Sequence, residues 1–181
     1  MTEHSARGLA DEELQEELRD LLALAVAGDH LRWVVVGDGA EELTAWLADA
    51  ALQWRALADR VSQRLVSLGV APDGRVRSLA KDISLNWVPA GWLRPDEARQ
   101  LVAHRLRTLG EWACYRQSQA TDPNTVQLLD AVCSSLEAQA RAAELVPVDI
   151  EHTDALAVAD RPGGERSDGG HAARTRVNER R

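Results

Sequence analysis

Apolar side chains recur at helical spacing from Leu14 to Leu68, interrupted once at Gly37-Asp38-Gly39, and no other feature restricts the fold as much. Before the interruption they fall at Leu14, Leu18, Leu21, Leu22 and Ala25. After it they fall at Leu43, Trp46, Leu47, Ala50, Trp54, Leu57, Val61, Leu65 and Leu68. Steps of three and four keep side chains on one side of a helix that turns about every 3.6 residues, so each half is an amphipathic helix. Glycine takes the positive φ that ends a helix without steric penalty, and the Gly-Asp-Gly junction therefore folds the halves into an antiparallel hairpin. Each arm exposes an apolar stripe that the rest of the chain must cover.

The stripes predict an all-α, four-helix bundle. The first helix runs from about Ala10 to Val36, with Asp11, Glu12, Glu13, Glu16 and Glu17 in its opening turns, where carboxylates are favoured by the helix dipole. The second runs from Ala40 to Leu68. A crossover from Val70 to Arg94 contains Pro72, Gly74, Pro89 and Gly91, with room for a short helix near Arg75 to Asp82. So long a connection suits a bundle whose second helix is followed by a parallel neighbour. The third helix opens at Pro95 and carries Ala98, Val102, Leu106, Leu109 and Ala113. The fourth opens at Asp122-Pro123, an N-cap with proline in the first turn, and carries Val126, Leu129, Val132, Leu136 and Ala140. Residues 1–9 read as an N-terminal extension, 10–145 as the bundle, and 146–181 as a flexible tail that is Arg- and Gly-rich from 161.

A chain of 181 residues buries a core without a disulfide or metal staple. Cys114 and Cys133 lie in separate predicted helices and read as reduced, partly buried small side chains, with zinc or redox use the lesser alternative. The N-terminal segment is acid-rich and lacks the pattern of a secretory signal, and no stretch approaches the roughly eighteen apolar residues of a membrane span, so a cytoplasmic location is expected. The total charge of −8 is uneven. Six arginines against three acids give residues 161–181 a net of +3, which leaves −11 on residues 1–160. His104 has no second histidine at three or four residues' distance and reads as a surface residue. No P-loop, Ser-His-Asp order or Glu-x-x-His pair is present. Trp33, Trp46 and Trp54 fall on or beside the hairpin stripe, as packing or contact residues, and Trp87 and Trp92 bracket the prolines and glycines of the crossover.

Two segments carry a resemblance. His30-Leu31-Arg32-Trp33-Val34-Val35-Val36-Gly37 is similar to the His-Trp-Asn-Val-x-Gly segment of the Dps family, and Asp122-Pro123-Asn124-Thr125 with Leu128-Leu129 and Leu136-Glu137 is similar to the start of its last helix. The hairpin, the long crossover holding a short helix and the final helix pair follow the same order. Over Leu14 to Glu144 the chain thus resembles these ferritin-like mini-ferritins. The resemblance implies a ferritin-like subunit of a homo-oligomeric cage, a hollow dodecamer, with iron oxidised at sites between subunits, iron storage inside, and DNA protection under stress.

Aligning Trp33 and Gly37 with the family segment puts Arg32 at the first histidine ligand position. Thr44 and Ala48 stand at the next two, Asp59 where the family has aspartate, and Gln63 where it has glutamate. Thr44 and Asp59 are separated by roughly 22 Å along one helix, so the two groups meet only across a dimer. Asp59 alone keeps a ligating side chain, and an arginine places positive charge where a cation should sit. An impaired ferroxidase centre is expected, with an Arg32–Asp59 ion pair between subunits as a substitute. The tail offers a second route to function, because Arg166, Arg174, Arg176, Arg180 and Arg181 can contact DNA phosphates without sequence preference. Enzyme, DNA-binding protein and structural subunit co-assembling with an active relative are the three classes the sequence leaves open.

Overall fold

In the computed structural model, which describes residues 3–79 and 87–146 with side chains from Asp11 onward, five helices follow one another. They are α1 (Glu3–Val34), α2 (Ala40–Ser67), α3 (Val76–Leu79), α4 (Pro95–Gln119) and α5 (Pro123–Leu145). The helix α1 starts seven residues before the expected Ala10. Nothing in Glu3 to Ala10 stops it, so Asp11 to Glu17 lie in its interior turns and are not first-turn acids. The reading of 146–181 as a tail falls, Val146 apart, outside the described residues. Val146 itself is buried against the core.

The hairpin turn uses glycine as expected, with φ of 104° at Gly37 and 80° at Gly39. At the far end of α2, Gly69 has φ of 81°. Its N–H donates to Val66 O at 2.9 Å and that of Val70 to Leu65 O at 2.9 Å, the paired bonds that satisfy the last free carbonyls of a helix. The crossover then runs back along α1. Gln15 exchanges two hydrogen bonds with the backbone of Asp73, at 2.9 and 3.0 Å. At its other end Leu93 bridges Val35, donating to Val34 O and accepting from Val36 N, both at 3.0 Å. Between Gln15 and Val35, α1 rises about 30 Å. The chain therefore returns the length of the bundle before α4 begins, and α4 runs parallel to α2.

The main pairs are α1 with α2 and α4 with α5. Leu14, Leu21, Leu24, Leu31, Leu43, Leu47, Leu65, Leu106, Leu129 and Leu136 meet in one core around Trp54, which is fully buried. A fully buried tryptophan is worth about 3–5 kcal/mol against alanine. Its indole N–H donates to Gln139 Oε1, and Gln139 donates in turn to Gln53 Oε1 at 2.9 Å and Ser135 Oγ at 3.3 Å. Gly28 on α1 makes room for the ring, since a Cβ there would lie 2.6 Å from Trp54 Cζ3.

Candidate metal centre

The α2 residues Thr44, Ala48, Asp59 and Gln63 recur by steps that keep them on one stripe, and Leu52 and Val66 complete it. Asp59 and Gln63 are exposed, and Leu52 and Val66 are 65% and 62% exposed. Thr44 and Ala48 are half-buried, and Thr44 Oγ1 donates to Glu41 O at 3.0 Å. All four positions therefore lie on the outer side of the hairpin, where one subunit of an assembly could meet another. Arg32, near the end of α1, is also exposed. The exposed Trp33 follows it, and His30 meets the Trp33 ring edge-on at 6.2 Å.

Two arginines occupy this face. Asp29 receives Arg55 on one carboxylate oxygen and Arg32 on the other, the latter at 3.5 Å. Arg55 lies on the same α2 stripe, between Ala48 and Asp59. Within the subunit, then, Arg32 has Asp29 as its partner. Iron needs carboxylate and imidazole donors. The five family positions instead present a guanidinium group, a hydroxyl, a methyl group, an amide and the single carboxylate of Asp59, with Arg55 and the Asp29 carboxylate that both arginines engage beside them. The residues present do not fit an iron centre. Sequence reasoning placed Arg32 and Asp59 here but missed Asp29 and Arg55, whose pairing depends on the angle at which α1 and α2 meet.

A second charged group lies inside the bundle. Arg116 of α4 is buried and donates to Glu13 at 3.3 Å, Glu17 at 2.7 Å and Asp20 at 2.9 Å on α1. Arg105 approaches Asp20 at 3.5 Å. Burial pushes the Glu17 carboxyl up to about 7 despite Arg116, and the nearby charges of Asp20 and Glu13 push the same way. Burial works against the charge of Arg116, but Glu17 and Asp20 outweigh it and hold the guanidinium protonated. Two guanidinium groups thus face three converging carboxylates, and the proton held on Glu17 balances the third charge.

Cys114 and Cys133 are joined by a disulfide, with Cα atoms 5.4 Å apart. This corrects the expectation of two separate reduced thiols. The antiparallel packing of α4 and α5 sets the two positions opposite each other, a proximity that their separation of 19 residues does not reveal. The arginines Arg166, Arg174, Arg176, Arg180 and Arg181 lie outside the described residues.

A bundle of two antiparallel helix pairs, joined by a crossover that carries a short helix along α1, is the ferritin-like class of fold. Residues 11–156 match the family model for the ferritin-like domain. Over 121 residues the chain is 29% identical to DNA protection during starvation protein 2 of Deinococcus radiodurans, covering 66% of this chain and 50% of that protein. The chain thus spans half the length of this curated relative. Dps92 from Deinococcus radiodurans superposes with a TM-score of 0.70 at 26% identity, over 76% of this chain and 87% of that one. Dps from Mycobacterium smegmatis gives 0.72 at 19% identity, over 77% and 86%, a likeness of fold. The chain belongs to the ferritin-like family, as a mini-ferritin of the Dps type.

Proposed function

We propose that this protein is a stress-protection cage subunit of the Dps type whose interfacial ferroxidase centre is silent. The observation that carries the reading is the capture of Asp29 between Arg32 and Arg55, on the face that bears Thr44, Ala48, Asp59 and Gln63. Fixed cations there raise the electrostatic cost of bringing Fe2+ to Asp59. Self-association is supported by the apolar side chains left outside: Trp33 and Trp92 are 72% and 73% exposed, and Leu52 and Val66 lie on the ligand stripe itself. In a symmetric dimer that stripe faces its own copy, where Arg32 of one subunit and Asp59 of the other supply an ion pair in place of a bridging metal. Iron remains a cargo the cage can hold without rapid oxidation at this centre.

Rebuilding the ligands tests the reading. Arg32→His, Thr44→His, Ala48→Asp and Gln63→Glu together should create oxidation of Fe2+ by peroxide that the unmodified protein lacks. Equal and rapid oxidation by both would overturn it. A second reading rests on the basic end of the sequence, whose +3 stands against −11 on residues 1–160. Presented in many copies on one particle, such tails bind DNA by effective concentration. A gel shift at low salt that survives deletion of residues 161–181 would exclude the tail as its source.

A further inference from the structure

We propose that Cys114, Cys133 and Glu137 form a site for a thiophilic divalent cation, zinc above all, which a hydroperoxide empties by closing the α4–α5 disulfide. Glu137 follows Cys133 by one helical turn, so both face Cys114 across the helix pair. Glu137 Oε1 lies 3.9 Å from Cys114 Sγ and 3.8 Å from Cys133 Sγ. In a tetrahedral zinc site the bond lengths to sulfur and oxygen put those atoms about 3.6 Å apart, and two thiolates about 3.8 Å apart. The carboxylate is therefore already near its place. Arg141 approaches the other oxygen, Oε2, at 3.8 Å and leaves Oε1 to the sulfurs.

In the disulfide neither sulfur carries a proton to donate, so Oε1 gains no hydrogen bond from lying close to both. Reduction changes this. The sulfurs part to van der Waals distance, and two thiolates with one carboxylate present three donors suited to zinc. Cys133 is buried, Cys114 half-buried and Glu137 exposed, which leaves the fourth position to water. Emptying balances as a two-electron oxidation. The two thiolates lose two electrons and form the S–S bond, the O–O bond of hydrogen peroxide breaks, and with two protons from solvent two waters leave together with the metal ion.

Cobalt(II) titrated into the reduced full-length chain reads the site directly. One Co2+ per chain is expected, with the near-ultraviolet band of thiolate-to-cobalt charge transfer and the visible absorption of four-coordinate cobalt. Cys133→Ser should remove the charge-transfer band, with helicity by circular dichroism confirming the fold. The exposed Glu137→Gln should keep the band and weaken binding at least about tenfold. Hydrogen peroxide should then release one equivalent of metal as both thiols disappear. Cobalt binding without the charge-transfer band, a band that persists in Cys114→Ser, or thiol oxidation with the metal retained would each overturn the proposal.

Discussion

Glu17 sits where the bundle can least accommodate its charge, buried on α1 with one oxygen on Arg116 and the other unpartnered. A folded-state value near 7, above the ordinary 4.5, means that the folded chain holds this proton longer than the unfolded chain. The stability gained from the neutral carboxyl is complete below about pH 4.5 and is lost as pH rises to about 7. Relative to Glu17→Gln, the wild type should therefore lose about 2–3 kcal/mol across that window, measured by urea unfolding at a series of pH values. Parallel profiles would refute it. Gly28 is a second site where surroundings override local preference. Alanine in a helix gains about 1 kcal/mol over glycine, yet a Cβ at 2.6 Å from the Trp54 ring forces the core apart. Gly28→Ala should cost about 1–3 kcal/mol, read as a lower urea midpoint with unchanged slope. Neither environment was legible in the sequence, where Glu17 belongs to an acid-rich run and Gly28 is one more residue in a helical pattern. Both depend on which side chain the neighbouring helix delivers.

Helix ends were far more legible, because capping is written in adjacent residues. Asp122 caps α5 by accepting from Thr125 N at 2.7 Å, and Arg64 from the end of α2 reaches both Asp122 and Thr125. The N–H of Thr125, aided by its hydroxyl and by Arg64, holds the Asp122 carboxyl below the usual carboxylate range. Its contribution is present at neutral pH and is lost as acid protonates it. Asp122→Ala should lower the melting temperature by about 2–4 °C, and Asp122→Asn, which keeps the acceptor, should lose less. Equal losses would assign the effect to charge alone. The start of α4 follows the same logic, with Glu97 Oε2 accepting from Arg94 N at 3.1 Å. The start of α1 escaped because its first turns precede the apolar stripe that begins at Leu14, and the short helix is seen as Val76–Leu79 within the wider span expected.

At the scale of the molecule the architecture followed from one argument, that a crossover of this length returns the chain to begin a helix parallel to α2. Asp73 and Leu93 mark the two ends of that return along α1. The ligand positions came from the resemblance of His30 to Gly37 to the family segment, and helical periodicity then sets Thr44, Ala48, Asp59 and Gln63 on one stripe. What filled the face was legible only in part, because Asp29 and Arg32 lie one turn apart on α1 but Arg55 reaches Asp29 only once α1 and α2 are packed. The same holds for the disulfide, whose partners lie on different arms of the second hairpin. The proposed silence of the interfacial centre rests on two guanidinium groups standing where iron would be oxidised. Iron loading of the purified protein under air and under peroxide, followed by metal analysis of the particle fraction from size exclusion, tests it most directly. A silent centre gives an intact particle with Fe2+ consumed no faster than in buffer. Rapid oxidation with many irons retained per particle would contradict it.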